Sequence, residues 1–123
     1  MLKKIMISMP MNGKHKCDIE ANFNRIKAEL EAKGYEVIDS VIKDFDKIEA
    51  KNKPIYCLSK SIRFLSEADL LYCAKGWQNA RGCKIEHEIA KDYGLEVIYE
   101  TEPKTGLGKI ACENSYYEYL KGN

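Results

Sequence analysis

The decisive stretch is Asp69-Leu70-Leu71-Tyr72-Cys73-Ala74, then Lys75-Gly76-Trp77-Gln78-Asn79-Ala80-Arg81, then Gly82-Cys83-Lys84-Ile85-Glu86-His87-Glu88-Ile89-Ala90-Lys91-Asp92-Tyr93-Gly94. Residues 69–74 are an apolar run of strand length, the pattern of a central strand covered on both faces. Residues 75–81 carry glycine, asparagine and a cation, and read as a loop. From Gly82 to Tyr93 the spacing is helical, with Ile85, Ile89 and Ala90 expected to face inward and Gly94 as the stop. Strand, loop and helix in that order make most of a β-α-β unit.

The same alternation extends in both directions. Lys4 to Ser8 reads as a short buried strand. Ile19, Phe23, Ile26 and Leu30 put one apolar face on a helix from Asp18 to Lys33, which Gly34 ends. Tyr35 to Ile38 is β-rich. Residues 40–53 are polar and irregular, and Pro54 suits the first turn of a helix that Leu58, Ile62 and Leu65 continue to Ser66. Glu96 to Tyr99 is a fourth strand, and 101–123 reads as a loop followed by a short helix. The order β-α-β-α-β-α-β predicts an α/β fold: a parallel sheet of four to five strands, right-handed crossovers and helices on both faces. One domain is expected over residues 1–123.

Composition narrows the function. Lys plus Arg is 20 against 19 for Asp plus Glu, a formal charge of +1, so the basic excess of a duplex nucleic-acid binder is missing. The apolar runs fall far short of the ~20 residues a membrane span needs. Pro10 and Asn12 interrupt the apolar start too early for a secretory signal, and a cytoplasmic location is expected. Five widely spaced cysteines without a C-x-x-C pair, and two histidines, argue against a structural metal site; reduced thiols acting as small hydrophobes are expected.

In open parallel sheets, ligands bind beyond the carboxyl ends of the strands. The loops expected there supply the candidate ligand contacts: Ser8, Met9, Pro10, Met11, Asn12 and Gly13 after the first strand; Asp39 after the second; Trp77, Asn79, Ala80, Arg81 and Gly82 after the third. The third loop runs into a helix, so the N–H groups of residues 80–83 are expected to be open to an anion such as phosphate, with Arg81 beside them. Glu86 follows Gly82 by one helical turn. It is expected to face the cleft and to stay ionised near the helix start, where a carboxylate can act as a nucleophile at a sugar carbon. His87 and Glu88 are turned about 100° and 200° away and read as surface residues. Asp69 reads as structural, at the far end of the sheet.

These residues resemble the nucleoside 2-deoxyribosyltransferase-like superfamily, most nearly its small uncharacterised bacterial and phage members. Gly82, Glu86, Ala90 and Gly94 match the family's run of a loop glycine, the nucleophilic glutamate, an alanine and a glycine at steps of four. Ile7-Ser8-Met9-Pro10-Met11-Asn12-Gly13 is similar to its first strand and sugar-binding loop. The resemblance covers about residues 3–99. It implies a flavodoxin-like (Rossmann-like) fold and cleavage of a nucleoside or nucleotide N-glycosidic bond, or 2-deoxyribosyl transfer, with Glu86 catalytic and no cofactor or metal. The chain departs from the family at Ser61, where many members carry an assisting Asp, and at Ala80, where nucleotide-cleaving members often carry a Ser. A module of the same fold that binds a nucleotide-derived ligand without turning it over, a sensor or sponge, is the alternative. A flavin-binding redox protein fits poorly, because the first loop lacks the Ser/Thr-rich pattern that wraps a flavin phosphate.

Tyr116, Tyr117, Tyr119 and Leu120 form an aromatic cluster suited to an interface, and in the resembled family subunits pair. A homodimer or higher homo-oligomer is therefore expected. Light scattering at tens of micromolar is expected to give a mass above that of one chain; a strictly monomeric mass counts against it.

Overall fold

The structure, a computed structural model, describes residues 2–11, 13–40 and 45–101. Asn12 and the aromatic segment 116–120 lie outside the described residues. Four strands, β1 (Lys4–Ser8), β2 (Glu36–Val37), β3 (Leu70–Cys73) and β4 (Glu96–Tyr99), pair in parallel in the order β2-β1-β3-β4. Three helices connect them: α1 (Lys16–Ala32), α2 (Lys53–Leu65) and α3 (Arg81–Asp92). This is an α/β fold compatible with the flavodoxin-like class.

Side-chain alternation along the two central strands builds two cores. Ile5 and Ile7 of β1, with Leu70 and Tyr72 of β3, pack against Phe23, Ile26 and Leu30 of α1. Met6, Leu71 and Cys73 point to the opposite face, where Leu65 of α2 and Cys83 and Ala90 of α3 cover them. Helices thus lie on both faces of the sheet. No described helix is long and apolar enough to cross a membrane.

Local chemistry sets the element ends. The Asn52 side chain caps α2 by accepting the Ile55 N–H at 3.0 Å, with Pro54 in the first turn. Gly34, at φ +95°, reverses the chain after α1, and the following Tyr35 N–H bonds back to the Leu30 carbonyl at 3.1 Å. That closing bond takes Tyr35 out of the sheet, so β2 is shorter than the alternation predicts. Asp69 is structural as expected: its carboxylate accepts the Lys4 N–H at 2.8 Å and its own N–H donates to the Lys4 carbonyl at 2.8 Å, joining β1 and β3 at their amino ends.

The inward face of α3 differs from the expectation. Its buried residues are Cys83, Glu86, His87 and Ala90, whereas Ile85 is 37% exposed. Ala90 is buried as expected and Ile89 packs against the core, but Ile85 turns outward because two polar side chains occupy the core-facing stripe. Replacing Leu71, which is fully buried, with Ala is expected to cost about 2–5 kcal/mol in urea unfolding; Ile85→Ala is expected to cost less than about 1 kcal/mol. Equal losses would restore Ile85 to the core.

Candidate active site

The strand order reverses between β1 and β3, so the chain leaves their carboxyl ends in opposite directions and opens a crevice there. Ser8 and Cys73, the last residues of these strands, are paired in register. Two-residue periodicity puts Ser8 on the face of Met6, toward α3. There it meets Glu86: the Ser8 hydroxyl donates to Glu86 Oε1 at 2.5 Å, and the two residues are 1% and 6% exposed. Ser61, from α2, also stands close enough to favour the charged form of this carboxylate. Cys83, one turn earlier on α3, is buried near Ser8, whose hydroxyl favours its charged form. One carboxylate is thus held by the Ser8 hydroxyl, with the Ser61 hydroxyl nearby on a third element. Among the described residues it forms no salt bridge.

The electrostatics follow from that enclosure. Burial pushes the Glu86 pKa above the ordinary glutamate value, and the Ser8 and Ser61 hydroxyls, which favour the charged form, oppose it incompletely. This runs opposite to the effect expected from the helix start, which favours the charged form. The helix begins at Arg81, so Glu86 stands in its second turn, where the dipole has faded, and desolvation prevails. Burial also pushes the Cys83 thiol up to about 11 and the Cys73 thiol higher still, so both remain protonated small hydrophobes. His87 is corrected from a surface residue to a core one. It is 1% exposed, its ring lies 4.2 Å from that of Trp77, and its Nε2 is 2.7 Å from the Tyr99 hydroxyl. Burial lowers its pKa, favouring the neutral ring. Glu88 is exposed, as expected.

The loop into α3 partly matches its expected role. Ala80 caps the helix in an extended conformation, and its N–H already donates to the Trp77 carbonyl at 3.2 Å. The first-turn N–H groups without an intrahelical acceptor are therefore those of Arg81, Gly82 and Cys83. Arg81 is exposed beside them. A Cβ built on Gly82 would meet no atom within 4 Å, so packing does not demand glycine there; the space above this backbone is open. Gly76, by contrast, sits at φ +90°, and a Cβ there would lie 3.5 Å from Pro10 Cγ. At this point the first and third loops touch.

The other predicted contacts divide. Pro10 is half-buried at that junction, while Met11, Gly13 and Asn79 are exposed on the two loops. Asp39 is exposed just beyond β2. Met9 and Trp77 pack into opposite cores, 5% and 3% exposed. Sequence reasoning did not single out Cys83 as a site residue, and marked Ser61 only as a departure from a family pattern. Two concavities, of about 570 and about 490 Å³, lie on the α1 side of the sheet and share Arg25, Lys75 and Glu100. There Arg25 pairs with Glu100 at 2.9 Å and with Glu29 at 3.3 Å, and the Lys75 N–H donates to Glu100 at 2.9 Å. Those charges compensate one another, whereas Glu86 is a buried carboxylate facing hydroxyls.

A family model described as a domain of unknown function (DUF4406) matches residues 3–99, the span from β1 through β4. The chain belongs to the DUF4406 family. Among curated proteins, none matches the chain at a significant level. The match takes in Ser8, Ser61, Gly82 and Glu86 together, so the hydroxyl-held carboxylate lies wholly inside the family's domain.

Because the folded-state pKa of Glu86 is raised, its stability contribution is fully present below the ordinary glutamate pKa and is lost as pH rises through the raised value. Glu86→Gln never ionises and avoids that loss. Its melting temperature is expected to exceed that of the wild type by a few degrees at pH 7–8, with the difference shrinking toward pH 4. A difference independent of pH would contradict a buried, titrating Glu86. Gly82→Ala is expected to raise stability by up to about 1 kcal/mol through helix propensity while weakening any ligand that approaches the first-turn amides.

Proposed function

We propose that this chain cleaves the N-glycosidic bond of a nucleoside or nucleotide, or transfers its 2-deoxyribosyl group, with Glu86 as nucleophile, in the manner of the nucleoside 2-deoxyribosyltransferase-like superfamily. The observation that carries the reading is the Glu86 carboxylate at the β1–β3 crevice, enclosed and held by Ser8. The position at which many members of that superfamily carry an assisting Asp is Ser61, whose side chain here favours the charged form of the carboxylate. The open backbone at Gly82 adds room for a ligand at the same end of the sheet.

In this mechanism a Glu86 carboxylate oxygen attacks C1′. The C1′–N bond breaks, and its electron pair leaves with the base, which takes up a proton. Water or the ring nitrogen of a second base then attacks C1′ and loses a proton. The C1′–O bond breaks and the carboxylate is regenerated. Ser8 grips Oε1 and so fixes the direction of the attacking group. Burial makes the carboxylate less solvated and more reactive once ionised, but moves its ionisation to higher pH.

A second reading, a module that binds a nucleotide-derived ligand without turnover, is favoured by two positions. Ser61 adds a hydroxyl where a second carboxylate would stand, and Ala80 offers no side-chain donor at the head of α3. Chromatography after incubation with deoxynucleosides and deoxynucleotides separates the two readings, since only catalysis releases free base.

If the chain is an enzyme, Glu86→Gln is expected to reduce base release by at least ~10³-fold while folding and ligand binding persist. Equal activity in wild type and Glu86→Gln would refute the nucleophile. The activity rises with pH as Glu86 ionises. Ser8→Ala and Ser61→Ala each remove a hydroxyl that favours the charged form, so the rising limb of the pH–rate profile is expected to shift to higher pH in both. An unmoved limb would show that the hydroxyls do not govern the reacting carboxylate.

A further inference from the structure

Tyr72 of β3 and Ile98 of β4 stand opposite each other in register, so their side chains lie side by side on one face of the sheet. That is the α1 face, where both belong to the core that Leu30 completes. Beside them is the cavity of about 570 Å³, walled by Leu30 and Lys33 at the end of α1 and by Tyr35 after the reversal at Gly34. Small-molecule pockets hold about 300–1,000 Å³. Most charges on this wall are committed: Arg25 pairs with both Glu29 and Glu100, and Lys75 has interactions of its own. Two groups are not. Tyr72 is 7% exposed, and among the described residues its hydroxyl has no hydrogen-bond partner. That oxygen is not sealed in the core, so it opens into the cavity that Tyr72 lines. Burial, with Glu100 and Glu29 adding to it, pushes its pKa up to about 12, so it stands there as a donor. Lys33 is exposed at the mouth and, among the described residues, forms no ion pair.

We propose that this cavity is a second binding site, on the opposite face of the sheet from Glu86, for a small aromatic carboxylate. The walls select the ligand's body. Leu30 and Ile98 offer apolar surface, and the rings of Tyr35 and Tyr72 favour an aromatic partner in stacked or edge-to-face contact. The uncommitted groups select its head. A buried donor without an acceptor is costly, and a ligand oxygen on the Tyr72 hydroxyl relieves that cost. The flexible stem of Lys33 lets its ammonium reach the same carboxylate from the mouth. A cationic ligand would find Glu29 and Glu100 already taken by Arg25, and a neutral one would leave the charge of Lys33 unused. The site does not depend on the catalytic reading of Glu86.

The test titrates the full chain with benzoate, benzamide and benzylamine and follows backbone amide shifts by NMR. Benzoate is expected to give saturable shifts at Leu30, Tyr35, Tyr72 and Ile98 at millimolar concentration or below. Benzamide, which keeps the ring and an acceptor but no charge, is expected to bind more weakly, and the benzylamine cation not at all. Tyr72→Phe keeps the ring and removes only the hydroxyl, and is expected to weaken benzoate at least about ten-fold, the usual worth of one hydrogen bond to a charged group. Lys33→Gln is expected to bring benzoate down to the affinity of benzamide and to leave benzamide unchanged. Thermal melts confirm that each variant folds. Glu86→Gln is expected to bind benzoate as the wild type does; loss of binding in that variant would place the probe in the crevice and overturn the second site. Absence of saturable shifts, equal binding of the three probes, or an affinity for benzoate that survives Tyr72→Phe would overturn it as well, and each would leave the proposed role of Glu86 untouched.

Discussion

A carboxylate inside a hydrophobic layer is the constraint on which this molecule turns. Glu86 occupies the stripe of α3 that faces the sheet, between Cys83 and Ala90, where an apolar residue would cost nothing in desolvation. A group there needs polar partners that the core itself cannot supply. They come from elsewhere in the chain: Ser8 at the end of β1, and Ser61 on α2. β1 and α3 must therefore meet within hydrogen-bond distance at one end of the sheet, with α2 close by. Desolvation still raises the pKa, so the hydroxyls hold the side chain in place without removing the tension between burial and charge.

The rest of the fold keeps that meeting point in register. At the amino end, the reciprocal bonds between Lys4 and Asp69 tie β1 to β3 and fix which residues stand opposite each other. At the carboxyl end, Glu100 joins Arg25 of α1 to the backbone of Lys75, and Pro10 rests against Gly76. Beneath the third loop, the rings of Trp77, His87 and Tyr99 lie within 4.2 to 5.7 Å of one another, and His87 binds the Tyr99 hydroxyl. His87 is the neighbour of Glu86, so the packing of this ring cluster and the pose of the carboxylate are set by the same turn of helix. Rigidity around the crevice is compatible with open backbone at Gly82, because only the first turn of α3 faces outward there.

Much of this architecture was legible in the residues themselves. Apolar runs of strand length, 3.6-residue stripes in α1 and glycines at helix ends determine four parallel strands with helices between them, because backbone hydrogen bonding and burial leave few other arrangements for that pattern. The position of Glu86 at the mouth of a βα loop followed from the same order. What only the tertiary structure decided was which side of α3 is inside and what lies against it. Ile85 looked like core and is partly exposed, whereas His87 looked like surface and is buried, and Glu86, expected to face an open cleft, is enclosed. Polarity predicts burial one residue at a time, but a buried polar group depends on partners distant in the chain: Ser8 lies 78 residues from Glu86, and His87 finds Tyr99 on β4. Those pairings depend on how three layers of the fold come together, so no local pattern around residue 86 could carry them.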